Sequence, residues 1–199
     1  MDFTLTFKVV IGTSLVATLL GLTPIGPAQA QNFTDARRAA VHPVSTVQAV
    51  NLWLSRVPRT RDFPPDFAAV LSGQSSLYII EMSTAPGCIP CADLWTKLGR
   101  LRARYGWQVR TISGQEALLR AGKLGLPWVG HPVAWARPLA DQERAIPIAI
   151  GTDHEVNIAR NAYLAAKMLT GVRPAVGLRA MAKYTGIVGP LTRASGPNP

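Results

Sequence analysis

The only two cysteines in the chain, Cys88 and Cys91, frame the tetrapeptide Cys88-Ile89-Pro90-Cys91. They stand where a strand-like pattern gives way to a helix-like one. The approach, Leu77-Tyr78-Ile79-Ile80-Glu81-Met82, is apolar and rich in residues that favour extended backbone. Beyond the second cysteine, Leu94, Leu98, Leu101 and Tyr105 recur at spacings of four, three and four, with Lys97, Arg100, Arg102 and Arg104 at other positions. That periodicity predicts an amphipathic helix with the cysteine pair at its amino end.

Such a position has chemical consequences. Free backbone N–H groups and the helix dipole favour a thiolate on Cys88, lowering its pKa below the ~8.5 of a free thiol. Cys88 is therefore the expected attacking sulfur. Pro90 suits the first turn, where no intrahelical N–H bond is lost, and it stiffens the loop that must close when the sulfurs join. Cys91, one turn further in, is the expected resolving thiol, which releases a mixed disulfide by attacking Cys88.

On these residues the chain resembles the thioredoxin-like superfamily, in which a Cys-x-x-Cys site follows a central strand and often carries proline before the second cysteine. By layout it is most similar to periplasmic Dsb-type proteins and to the thiol-disulfide oxidoreductases that accompany bacterial conjugation or secretion machines. The resemblance implies an α/β fold, a central mixed sheet flanked by helices. It also implies a cis-proline loop whose preceding residue hydrogen-bonds the substrate chain. The run Gly171-Val172-Arg173-Pro174-Ala175-Val176, after a helical pattern from Asn157 to Leu169, matches that loop, which assigns Arg173 and Pro174 to substrate binding. Pro147, opening the apolar run from Ile146 to Ile150, is the rival. Glu81 is a candidate proton relay to Cys91, by analogy with the buried acid of thioredoxins, although its offset from Cys88 differs by one from the usual pattern. A solvent-facing glutamate is the alternative.

Three departures from the family stand out. The stretch between Cys91 and Pro174 is long and requires an insertion; the Gly- and Pro-rich tail from Gly189 to Pro199 offers no closing helix; and Gly87 replaces the usual tryptophan before the first cysteine. Leu126 to Pro138 holds three prolines and two tryptophans, which suits neither a long helix nor a central strand. We therefore expect an insertion at about 124–155, before the cis-proline strand, either shaping substrate selection or forming a surface loop with its own small apolar cluster. Two strands, Ala175 to Met181 and Lys183 to Val188, are expected after Pro174. Trp107 to Ile112 alternates as a strand should, and Gln115 to Lys123 reads as a helix ended by Gly125.

The amino terminus indicates a compartment. Lys8 precedes fourteen uncharged, mostly apolar residues from Val9 to Leu22, then a helix-breaking Thr23-Pro24-Ile25-Gly26-Pro27 and Ala28-Gln29-Ala30. This is the order of a secretory signal peptide cleaved near Ala30. An uncleaved membrane anchor is the alternative, and the apolar run is shorter than the ~20 residues a spanning helix needs. Export and a single cysteine pair point to an oxidising compartment, the periplasm of a Gram-negative bacterium or the exterior. Residues 1–30 are thus read as signal peptide, 31–75 as a helical extension and 76–199 as the thioredoxin-like domain. In the extension, Val44, Val47, Val50 and Leu54 trace a helical stripe, followed by a short element at Ala68 to Leu71; its aromatic residues either pack on the core or touch a partner.

Composition narrows the functional classes. The net charge of +10 survives loss of the leader, since Lys8 and Asp2 leave together. The basic residues are scattered, with no stacking aromatics interleaved in a nucleic-acid module, so a basic surface that biases protein partners is the better reading. His42, His131 and His154 have no helical pair spacing for zinc. No metal and no cofactor is expected. The leading expectation is an exported thiol-disulfide oxidoreductase acting on cysteine-bearing proteins, recycled by a redox partner protein. The rival is a non-catalytic component of an envelope, secretion or conjugative transfer complex with a structural disulfide. A metal-delivery protein is a third, weaker reading.

Overall fold

The computed structural model describes residues 41–171 and 184–190. The expected signal peptide, Arg173 and Pro174 and the expected strand Ala175 to Met181 lie outside those residues. The order is β1 (His42–Pro43), α1 (Val47–Leu54), α2 (Phe67–Gly73), β2 (Tyr78–Ser83), α3 (Ile89–Tyr105), β3 (Gln108–Ile112), α4 (Gly114–Lys123), β4 (Val133–Pro138), β5 (Ile146–Ile150), α5 (Glu155–Leu169) and β6 (Ile187–Val188).

The central sheet has the order β3-β2-β4-β5. β2 and β3 are parallel, joined through α3, while β4 runs antiparallel to both β2 and β5. Every side chain of β2 is buried, because the strand is covered on both faces. Ile80 and Met82 join Ala134 and Ala136 of β4 against Leu94, Leu98 and Leu101 of α3, and α2 and α5 complete that core with Phe67, Leu71, Ile158 and Tyr163. On the other face Ile112, Val133 and Trp135 pack with Ala117 of α4. The apolar stripe of α3 is the face that the spacing predicts. Its helix ends at Gly106, whose φ of 81° is the left-handed conformation that glycine adopts without penalty.

Residues 124–155 are not an insertion outside the sheet. They supply β4 and β5, two of the four strands the sheet has among the described residues. Of the three prolines that argued against a central strand, Pro127 and Pro132 precede β4 and Pro138 is its last residue; Pro147, outside that run, sits on β5 opposite Trp135 next to a register shift. Those are the places where a missing N–H is tolerated. β4 shows no polar alternation because Trp135 faces one apolar layer and Ala134 and Ala136 face the other.

Of the expected strand Lys183 to Val188, Ile187 and Val188 form β6. It pairs in parallel with β1 in a two-stranded sheet, and backbone hydrogen bonds of Gly186 and Ile187 also tie it to Ile150 and Thr152 at the end of β5. α1 is capped by Thr46, whose hydroxyl accepts the Ala49 N–H at 3.1 Å. Its Val50 and Leu54 pack with Val44, Ile187 and Ile89, so the amino-terminal extension and β6 together brace the start of α3.

Candidate thiol site

Cys88 is the N-cap of α3, and the chain reaches it through Gly87 at φ 68°. The Cys88 carbonyl accepts the N–H groups of Cys91 (3.1 Å) and Ala92 (3.3 Å), which starts the helix, while Pro90 occupies its first turn. The Cys91 N–H also lies 3.2 Å from Cys88 Sγ and donates to it. The two cysteines form a disulfide. Their environments differ: Cys91 is 3% exposed within the main core, whereas Cys88 is only half-buried at the edge of that core.

Facing Cys88 is the loop that leads into β4. The His131 carbonyl oxygen lies 3.8 Å from Cys88 Sγ, and the His131–Pro132 peptide bond is cis. Three hydrogen bonds pin this loop. The Val133 N–H donates to Ser83 Oγ (2.9 Å) at the end of β2, the Gly151 N–H to the Pro132 carbonyl (2.8 Å), and the Gly189 N–H to the His131 carbonyl (2.7 Å). The His131 ring lies against Gly114, where a Cβ would come within 3.2 Å of Cε1 and Nε2, and meets the Trp128 ring edge-on with centroids 5.0 Å apart. Burial pushes the His131 pKa down, so its imidazole is neutral at pH 7. A cleft of about 360 Å³ opens over Cys88 between Ser45, Pro86, Trp128, His131 and Pro190, with no charged side chain among the described residues of its wall.

The chain matches no family model, no curated protein and no solved structure.

The structure therefore has to speak for the site by geometry. It brings Cys88 and Cys91 together, and it places Glu81 elsewhere. Glu81 is fully buried on the β2 face away from Ile80, Met82 and α3. Its carboxylate is clamped by Arg137 Nη2 (2.7 Å), by Arg120 Nη1 (2.5 Å) and by Arg110. Burial opposes its ionisation, but hydrogen bonds from Arg137, Arg120 and Arg110 outweigh that and hold the pKa at about 2. Arg173 and Pro174 lie outside the described residues. Pro147, the rival, sits within β5, on the far side of β4 from β2, and the one cis bond among the described residues is that of Pro132.

Sequence reasoning passed over His131, Pro132, Trp128 and Gly189. One signal was present for the first two: a His-Pro pair directly before the apolar run Val133-Ala134-Trp135-Ala136. The density of prolines around it hid the strand. A further group ties α3 to the turn before α5: Lys97 Nζ lies 2.5 Å from Asp93 Oδ2, which also accepts the Thr152 hydroxyl. Among the described residues no three His, Cys, Asp or Glu side chains converge in a way that could hold a metal ion, and no helix is long and apolar enough to cross a membrane.

Proposed function

We propose that this chain is a thioredoxin-like thiol-disulfide oxidoreductase that exchanges disulfides with protein substrates in an oxidising compartment outside the cytoplasm. One observation carries the reading: a half-buried Cys88 at a helix N-cap, with a backbone N–H on its sulfur, a buried Cys91 beneath it and a proline-bearing loop across from it. The β-α-β-α-β-β-α order of the central domain, with that loop just ahead of the third strand, supports the thioredoxin-like part.

The chemistry follows from the geometry. In the reduced protein the Cys91 N–H and the amino end of α3 stabilise negative charge on Cys88 Sγ. That thiolate attacks one sulfur of a substrate disulfide; a Cys88–substrate bond forms, the substrate S–S bond breaks, and the second substrate sulfur leaves as thiolate. Cys91 then gives up its proton and attacks Cys88 Sγ, restoring the intramolecular disulfide and releasing the first substrate sulfur. Two electrons pass to the substrate. The same steps in reverse oxidise a substrate dithiol, and a redox partner protein resets the pair in either direction.

Cys88→Ser should abolish turnover of a protein disulfide, and Cys91→Ala should accumulate a mixed disulfide with substrate, visible on non-reducing gels. The rival, a structural staple, fares poorly on physical grounds. A bridge closing so short a loop stabilises by no more than about 2 kcal/mol on the chain-entropy model. Full turnover by Cys88→Ser would remove the oxidoreductase reading in favour of the staple.

A further inference from the structure

The segment that ends the described chain runs directly over the reactive sulfur. β6 is firmly held: the His42 and Val44 N–H groups donate to the carbonyls of Gly186 (2.8 Å) and Val188 (2.9 Å) on one side. On the other, the Thr152 N–H donates to the Ile187 carbonyl (3.1 Å) and the Gly186 N–H to the Ile150 carbonyl (2.9 Å). Ile187 and Val188 are at most 1% exposed. One residue further on, the attachment changes character. Among the described residues Gly189 makes one backbone hydrogen bond, from its N–H to the His131 carbonyl, and its α-carbon passes so close to Cys88 that a Cβ would lie 3.1 Å from Sγ and 3.5 Å from the Cys88 Cβ. Pro190 follows at the mouth of the cleft and has no N–H with which to continue the pairing.

The His131 carbonyl oxygen lies 3.8 Å from the sulfur. An extended polypeptide laid against this loop would offer its own N–H to that oxygen, and the oxygen is already engaged. We propose that Gly189–Pro190 is a tethered cover that occupies the strand-pairing position beside Cys88, holding the His131 carbonyl and lying against the sulfur until an extended substrate chain displaces it. The substrate half of this statement rests on the oxidoreductase reading; the cover itself does not.

The anchoring favours a local opening. β6 stays in place, since several hydrogen bonds and two buried side chains hold it, while release of Gly189 breaks one backbone hydrogen bond among the described residues. One such bond corresponds to a factor of about five in population. The cover therefore opens by thermal motion, and a chain that supplies a replacement N–H takes its place without net loss of hydrogen bonds. Flexible or unfolded segments fulfil that condition; compact disulfides that cannot extend beside His131 do not.

The test is the alkylation of reduced Cys88 by iodoacetamide across pH in the full chain. Gly189→Pro removes the donated N–H and adds a Cβ only 3.1 Å from the sulfur, so the covering position is disfavoured. The plateau rate, reached when the thiol is fully ionised, should rise about fivefold. An unchanged or lower plateau in a variant with native circular dichroism overturns the proposal. A second measurement needs no change at position 189. A cysteine peptide is coupled chemically to Cys88 of Cys91→Ala through an activated mixed disulfide, and exchange of the Gly189 amide is followed by NMR. Exchange at least about fivefold faster than in the uncoupled protein supports displacement; retained protection refutes it. Failure of the oxidoreductase reading would show separately, as the absence of any mixed disulfide with protein substrates.

Discussion

Glu81→Gln keeps the shape of the side chain and removes the one negative charge shared by Arg110, Arg120 and Arg137. The carboxyl falls from an ordinary 4.5 to about 2 in the folded protein, with burial opposing and the Arg137, Arg120 and Arg110 hydrogen bonds prevailing. A depression of that size is worth about 3 kcal/mol of folding stability at neutral pH. It matches the general cost of leaving buried charges without their partner, on the order of 3–5 kcal/mol. Because the folded pKa lies below the unfolded one, this stability is fully present above about pH 4.5 and is lost as pH falls towards about 2. Urea unfolding of the oxidised proteins should thus show the variant about 3 kcal/mol weaker near pH 7, with the gap less than half as large by about pH 3. The same variant should leave the pH profile of Cys88 alkylation unmoved, since Glu81 faces away from α3. A gap under about 1 kcal/mol at both pH values would refute the clamp; a displaced alkylation profile would restore Glu81 as a relay to the thiols.

Two further substitutions probe the frame around the site. Leu98→Ala empties a fully buried position between α3 and the sheet and should cost about 3 kcal/mol by urea unfolding without changing the Cys88 alkylation profile. Gly151→Ala should be worse than its size suggests. Gly151 holds φ 80°, and a Cβ there would come 2.4 Å from the Ile187 nitrogen, so melting should show a loss above about 2 kcal/mol, and the amide of Thr152, bonded to Ile187, should exchange faster.

Much of the local structure was legible because its causes are local. The leucine spacing of α3, the helical run that became α4 and the alternation from Trp107 to Ile112 around β3 each depend on residues within a turn or two. Where burial is two-sided, that legibility ends. β4 carries Trp135 to one layer and two alanines to the other, so its pattern lacks the contrast by which a strand announces itself. Arg137 misleads further, as a charged residue in a central strand that is tolerated because Glu81 lies within 2.7 Å on the neighbouring strand.

That a cysteine pair opens an amphipathic helix after an apolar strand follows from contiguous residues alone, since periodicity and a proline in the first turn are local properties. Tertiary structure alone decided what faces that pair. His131 and Gly189 reach Cys88 from segments 43 and 101 positions away, through strand pairings whose register no local pattern encodes. Which face of β2 receives Glu81 was settled likewise, by the guanidinium groups that three other elements bring to it. Contacts closed over such distances depend on the whole core being assembled, and so they become visible only once the chain has folded.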